Sequence, residues 1–173
     1  MRTGRYGFLL GIGSNINPHD NFIRIVQLLL KCFESFHLSR VLHIPPVGMN
    51  SQHHFLNAVA FIETTMPETT LKTICNQIEI ALGRDRCDPN SKNKDRPADL
   101  DILSHLQTAE DWACSTSTIT DEYFLYPLID ELKAYLNHAS TAPQQLQHGV
   151  RLQADGLSFG ETATTIYRDR YPG

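Results

Sequence analysis

The sequence predicts an α+β protein in which two helices cover one face of an antiparallel sheet. Short apolar runs typical of buried strands alternate with longer segments whose apolar residues recur at helical spacing. These segments follow the order β-α-β-β-α-β, which is the ferredoxin-like pattern. A chain of 173 residues can bury a sizeable core and most simply forms a single domain, here residues 1–173.

The first strand and the first helix are predicted between Tyr6 and Phe33. The apolar run Tyr6–Ile12 ends in the glycine-containing segment Gly11–Asn15. Its glycines either make a tight turn or let a ligand approach closely, and they match neither a Walker A loop nor a dinucleotide fingerprint. Pro18 and Asp20 are helix start signals. The apolar residues that follow at helical spacing are Phe22, Ile25, Val26, Leu29, Leu30 and Phe33.

Two further strands flank a polar loop. Leu38–Ile44 is predicted to be a strand that stops at Pro45-Pro46, and Val47–His54 is the loop. The third strand, Phe55–Thr64, is apolar on both faces, so we expect it in the centre of the sheet. Asn57 interrupts it with an amide that needs hydrogen-bond partners when buried. Those partners come either from a neighbouring loop or from a ligand.

The second helix is predicted from Pro67 to Gly83, and loops at the open face of the sheet are expected to hold the site. The last strand of the pattern is Asp99–Leu103. The C-terminal additions are weakly patterned: Gln107–Thr120 is polar, and Glu122–Leu136 has helical or mixed character that Pro127 breaks. An Asp155-Gly156 turn between short apolar pieces predicts a peripheral hairpin.

Charged residues concentrate between Gly83 and Asp101. Asp99 and Asp101 lie two residues apart, so a strand would project both carboxylates from one face. Mg²⁺ accepts one or two protein carboxylates and takes its other ligands from water and phosphate. The preceding segment carries the cations that a polyphosphate would need: Arg84, Arg86, Lys92, Lys94 and Arg96. The alternative is a polar strand edge beside a solvated loop.

Composition limits the remaining classes of function. The net charge of −4 argues against a general nucleic-acid binder. The sequence shows no membrane span and no signal-peptide pattern, and its four cysteines lack C-x-x-C spacing. These features predict a cytoplasmic protein with reduced thiols and no membrane partner. We also expect a monomer.

Several segments, taken in order, resemble the family of 6-hydroxymethyl-7,8-dihydropterin pyrophosphokinases. The resemblance spans residues 8 to about 130. It rests on Ile12–Asn15, Pro45–Gly48, Phe55–Asn57, Glu79 with Gly83–Arg86, Arg96–Ile102 and Leu125–Leu128. It implies transfer of the pyrophosphoryl group of ATP to a pterin, with release of AMP.

The resemblance also implies a role for each matching residue. Asp99 and Asp101 would bind two Mg²⁺ ions that bridge the triphosphate. The cations in contact with phosphate would be Arg84, Arg86 and Arg96, of which Arg84 and Arg96 would also stabilise the transferring group. Asn76, Glu79 and Ile102 would lie beside the nucleotide. The pterin would contact Asn57, Phe55, backbone groups of Pro45, Pro46 and Val47, and the ring of Tyr123 or Phe124.

Two segments depart from the family pattern. Asn93-Lys94-Asp95 stands where members commonly place a tryptophan, and Asp121 stands where they place an arginine. These departures leave two alternatives open: a pterin-binding paralogue without catalysis, and a kinase for a related pterin.

Overall fold

A computed structural model describes residues 5–49, 51–85, 87–90, 94–138 and 147–170, and it confirms the α+β fold. The first part of the chain has the predicted β-α-β-β-α-β order, with the second strand in two pieces. Its elements are β1 (Gly7–Ser14), α1 (Pro18–Cys32), β2 (Ser35–Leu38), β3 (Leu42–Ile44), β4 (Phe55–Glu63), α2 (Glu68–Ala81) and β5 (Asp99–Leu106).

These strands form one antiparallel sheet in the order β5-β1-β4-β2, and β3 pairs with β4 alongside β2. β4 therefore lies inside the sheet with neighbours on both edges, as the apolar character of both its faces predicted. β1 lies between β4 and β5, so most of its residues pair with a residue of β4 on one side and with a residue of β5 on the other.

The predicted strand Leu38–Ile44 was wrong in its extent, because the chain leaves the sheet at its middle. Ser39 donates its backbone N–H to the carbonyl of Val59, and its side-chain Oγ accepts the N–H of Val59, both at 2.9 Å. Two residues later, Val41 exchanges backbone hydrogen bonds with Gly160 and Val150 of the C-terminal segment at 2.8 Å. Hydrogen bonds to the Ser39 hydroxyl and to the C-terminal segment thus replace the regular hydrogen bonds between strands.

The main core lies between α1, α2 and one face of the sheet. β1 contributes its even-numbered residues to this core, which include Phe8, Leu10 and Ile12, each at most 1% exposed. Pro18 lies in the first turn of α1, as its start signal predicted. The odd-numbered residues of β1 consequently point to the opposite face.

That opposite face is covered by more than the predicted loops. It is covered by the short helices α3 (Ala109–Ala113) and α4 (Thr116–Ile119), a 3₁₀ turn (Tyr123–Leu125) and α5 (Tyr126–Leu136). α5 buries Leu128, Ile129 and Leu132 against Leu9, Val59 and Phe61 of the sheet. Pro127 does not break this helix, because it lies in the first turn, where no intrahelical N–H is required.

The predicted C-terminal hairpin is confirmed as β6 (Leu152–Ala154) and β7 (Leu157–Phe159). Asp155 and Gly156 between them have φ values of 51° and 81°, which suit a tight two-residue turn. The hairpin is not peripheral, because Leu152, Leu157 and Phe159 are buried in the main core. A further strand, β8 (Thr164–Tyr167), extends the sheet beside β2, and a 3₁₀ turn (Arg168–Arg170) follows it. Within the described ranges, no helix has the length and apolar character to cross a membrane.

Candidate active site

A pocket of about 180 Å³ opens on the sheet face that α5 partly covers. Eight of the residues predicted for the site line it: Pro45, Val47, Phe55, Asn57, Arg96, Asp99, Asp101 and Phe124. The rest of its lining comes from Gly11, Ile12, Gly13, Ile44, Met49, Glu122 and Leu125. The structure therefore brings the predicted pterin and phosphate residues into one concave site.

The floor of the pocket is a row of three residues across the sheet. Gly13 of β1 pairs with Asn57 of β4 on one side and with Asp99 of β5 on the other. Two residues back, Gly11 pairs with Asp101. Since alternate residues of a strand share a face, the amide and both carboxylates project into the same pocket.

Gly11 and Gly13 lie within β1 and leave room above the strand. A Cβ at Gly13 would lie only 2.8 Å from Nδ2 of Asn57, and one at Gly11 would lie 3.4 Å from the nearest side-chain carbons. Neither glycine belongs to a turn, so the first of the two interpretations of this segment was wrong. The close approach that Gly13 permits is that of the Asn57 amide.

The side-chain amide of Asn57 is only weakly hydrogen-bonded by the protein. Its Nδ2 donates to the carbonyl of Ile12 at 3.5 Å, and this is the one hydrogen bond of its side chain among the described residues. The described residues of the neighbouring loop do not supply the partners that a strand-borne amide needs. The amide is half-buried in the pocket wall and is available to hydrogen-bond a ligand.

Two arginines hold the carboxylate of Asp99 from different segments. Nη1 of Arg84 lies 3.1 Å from Oδ1, and Nη1 of Arg96 lies 3.2 Å from Oδ2. Both guanidinium groups are largely buried, with side-chain exposures of 8% and 12%. Within the described part of the chain, Nε of Arg84 is buried without a hydrogen-bond partner. Both arginines therefore meet at one carboxylate beside the pocket floor.

Glu79 forms a buried ion pair with Arg84. Its carboxylate lies 3.1 Å from Nη1 of Arg84 and accepts the backbone N–H of Leu100 at 2.9 Å. Glu79 is fully buried, so its contacts here are to the protein.

Burial and neighbouring carboxylates both raise pKa values on the other side of the pocket. Although Asp101 as a residue is exposed, its surroundings exclude enough water to raise the pKa of its carboxyl group to about 7. Partial burial is the largest cause, followed by the negative charges of Asp99, Glu122 and Glu79, with Arg84 opposing them. Burial and Asp99 also raise the pKa of Glu122. A bound cation would relieve this repulsion.

Glu122 lines the pocket although the sequence did not predict it there. Its backbone N–H donates to Oγ1 of Thr120 at 3.1 Å, which fixes it at the start of the 3₁₀ turn. The available signal was its position directly before the predicted aromatic pair, Tyr123 and Phe124. Of that pair, Phe124 lines the pocket, whereas Tyr123 is 63% exposed and packs edge-on against Phe124.

Other predicted residues lie away from the pocket lining. Asn76 is half-buried on α2, and Ile102 packs against the main core on the helix side of the sheet. Pro46 adjoins the lining residues Pro45 and Val47 but is not itself part of the lining. Arg86 and Lys92 lie outside the described residues.

Arg96 also joins the two halves of the pocket. Its guanidinium carbon lies 5.9 Å from the ring centroid of Phe55, while its Nη1 contacts Asp99. One side chain thus contacts both the aromatic wall and the charged end. Within the described segments, no three His, Cys, Asp or Glu residues are grouped to hold a metal by themselves. The Asp99–Asp101 pair matches an ion that takes its remaining ligands from phosphate and water.

An α+β fold with a pocket that joins an amide, aromatic rings, arginines and paired carboxylates defines a candidate enzyme for transfer of a phosphate-containing group. The model of the 7,8-dihydro-6-hydroxymethylpterin-pyrophosphokinase (HPPK) family matches residues 9–131. The chain belongs to this family, as the ordered motifs predicted.

Relatives in three bacteria are each named 2-amino-4-hydroxy-6-hydroxymethyldihydropteridine pyrophosphokinase. The Bacillus subtilis protein is 28% identical over 150 residues, which cover 83% of this chain and 87% of the relative. The Porphyromonas gingivalis protein is 32% identical over 98 residues, covering 56% and 67%, respectively. The Campylobacter jejuni protein is 31% identical over 110 residues, covering 62% and 68%.

Proposed function

We propose that this protein transfers the β,γ-pyrophosphoryl group of ATP to 6-hydroxymethyl-7,8-dihydropterin, a step in folate biosynthesis. The hydroxymethyl oxygen forms a bond to the β-phosphorus, the bond from that phosphorus to the α–β bridging oxygen breaks, and AMP leaves. The observation that carries this proposal is the row Asn57–Gly13–Asp99. It places a hydrogen-bonding amide and an arginine-held carboxylate on one pocket floor.

The pterin occupies the Asn57 end of the pocket in this proposal. The weakly bonded amide of Asn57 recognises the polar edge of the ring. Gly13 has no side chain that would push this amide out of position. Phe55 and Phe124 supply flat apolar walls. Backbone groups of Pro45–Val47 add hydrogen bonds, and Tyr123 moves from its exposed position to cover the ring.

The triphosphate occupies the Asp99 end. Arg84 and Arg96 are already oriented there because Asp99 binds both of them. Phosphate oxygens are the preferred partners of guanidinium groups, so ATP would draw these arginines away from Asp99. That exchange releases both oxygens of Asp99 and places two cations against the transferring group, where developing negative charge needs stabilisation.

Asp99 and Asp101 would hold Mg²⁺, and their donor chemistry fits that ion. A carboxylate pair on one strand face, with the pKa of Asp101 raised by burial and by the neighbouring negative charges, favours bound positive charge. When bound with ATP, Mg²⁺ neutralises phosphate charge and thereby makes the β-phosphorus easier to attack. Arg86 would add a further phosphate contact, and Asn76, Glu79 and Ile102 would lie on the nucleotide side.

The names of the relatives favour a catalyst over a non-catalytic paralogue. A direct test incubates the protein with ATP, Mg²⁺ and 6-hydroxymethyl-7,8-dihydropterin, then separates the nucleotides. We expect AMP that forms only when the pterin is present. ADP as the product would exclude pyrophosphoryl transfer, and bound pterin without AMP would support the paralogue. A panel of related pterins would identify the substrate, while the cytoplasmic location and monomeric state stay predictions.

A further inference from the structure

Asp95, which directly precedes the pocket residue Arg96, connects its own segment to two others. Its carboxylate accepts hydrogen bonds from Nδ2 of Asn15 at 2.8 Å, from Oγ of Ser51, and from Nδ1 of His53 at 2.5 Å. Asn15 follows β1, whereas Ser51 and His53 belong to the loop between β3 and β4. We call these four residues the Asp95 cluster.

The cluster reaches both ends of the pocket. On the phosphate side, Asn15 is 4% exposed and binds the backbone of Arg96 twice: its Oδ1 accepts the N–H at 2.6 Å, and its N–H donates to the carbonyl at 3.0 Å. On the pterin side, the loop that carries Ser51 and His53 begins with Val47 and Met49, which line the pocket. Asp95 is the charged acceptor that joins Asn15 to the loop that carries Ser51 and His53.

The position of the loop that carries Ser51 and His53 depends on the Asp95 carboxylate more than the position of Arg96 does. Ser51 and His53 also contact each other, because Oγ of Ser51 accepts the N–H of His53 at 3.1 Å. Their remaining side-chain hydrogen bonds in the described residues go to Asp95. The paired contacts between Asn15 and Arg96 do not involve Asp95, so they persist without it. The hydrogen bond from Ser51 is the largest cause of the lowered pKa of Asp95, which shows that these donors favour the charged carboxylate.

We propose that Asp95 is a positioning residue that holds the pocket-lining loop of residues 47–54 in its substrate-binding position. The role rests on the proposed function, since the wall that it positions is the pterin wall. Removing the charged acceptor leaves the hydrogen bond from Nδ2 of Asn15 to the carbonyl of His53, at 3.4 Å, as the remaining link between this loop and Asn15 in the described residues. The loop is then held more weakly and must be ordered further when the pterin binds. The substitution therefore weakens pterin binding but changes the rate of the chemical step little, because Asn15 still anchors Arg96.

The test compares Asp95→Asn with Asp88→Asn in the full-length protein. Asp88 is a matched control in the same stretch of chain, where it pairs with Lys94 at the surface. Asp95→Asn should raise the Kd and the KM for 6-hydroxymethyl-7,8-dihydropterin about tenfold, as expected for the loss of charged hydrogen bonds. We expect kcat to change by no more than about twofold, and Asp88→Asn to resemble the wild type.

Hydrogen–deuterium exchange supplies a readout that does not need catalysis. Exchange over residues 47–54 should accelerate in Asp95→Asn but not in Asp88→Asn. Unchanged exchange there, or a loss of kcat with unchanged KM, would overturn the positioning role. If Asp95→Asn does not fold, Ser51→Ala removes one partner from the loop side and should show the same effects in smaller degree. A wild type that forms no AMP refutes the proposed function, whereas the exchange comparison still decides the role of Asp95.

Discussion

Replacing Gly13 with alanine tests whether the pocket floor is built around the Asn57 amide. The added Cβ would lie 2.8 Å from Nδ2 of Asn57 and 3.4 Å from Cδ1 of Phe55. The amide must retreat by about 0.6 Å to restore a 3.4 Å contact, which misaligns the group that would bind the pterin. A misaligned buried hydrogen bond costs about 1–3 kcal/mol, which corresponds to roughly 5- to 150-fold in affinity.

The assay is a titration of Gly13→Ala with 6-hydroxymethyl-7,8-dihydropterin, with Gly11→Ala as the matched control on the same strand face. A Cβ at Gly11 meets only the ends of the Leu103 and Leu125 side chains at 3.4 Å, so its effect should be about tenfold smaller. Asn57→Ala provides the reference for complete loss of the amide. Both glycine variants should bind ATP as the wild type does. Equal pterin affinity in Gly13→Ala and the wild type would refute the role given to this row.

Two further outcomes follow from the charges of the site. The pKa of Asp101 is raised from 3.8 to about 7, so the folded protein binds the proton more tightly than the unfolded chain does and loses stability as pH rises across this window. The melting temperature of Asp101→Asn relative to the wild type should therefore increase between about pH 4 and pH 7, and a constant difference would contradict the assignment. ATP with Mg²⁺ should protect the segment Asp85–Asp95 from tryptic cleavage at Lys94, because its cations would close on the triphosphate; cleavage that the nucleotide does not slow would count against closure.

The order of elements was predictable because periodicity is local information. Apolar residues at strand and helix spacing located β1, α1, β4, α2 and β5. The break between β2 and β3 was not predictable, because a serine hydroxyl and the C-terminal segment replace the ladder there. β8 escaped prediction for a related reason: its pairing with β2 joins residues more than a hundred positions apart.

The residue types of the site were predictable, whereas their contacts required the register of the sheet. The spacing of Asp99 and Asp101 indicated a shared face, yet only the pairing of β1 with both neighbours aligns Asn57, Gly13 and Asp99. The ion pair of Arg84 with Asp99 spans 15 residues, and the hydrogen bond of Asn15 with Asp95 spans 80. No local pattern carries such information.

The most direct measurement of the central claim is AMP formation by Asp99→Asn and Asp101→Asn at saturating ATP, Mg²⁺ and pterin. Both substitutions keep the side-chain shape and should leave the fold intact, which circular dichroism and melting curves would verify. We expect the wild type to release AMP and each variant to lose pterin-dependent AMP formation, because the triphosphate is no longer neutralised at the reacting phosphorus. AMP formation at the wild-type rate in either variant would contradict the assignment of the paired carboxylates as the centre of the reaction.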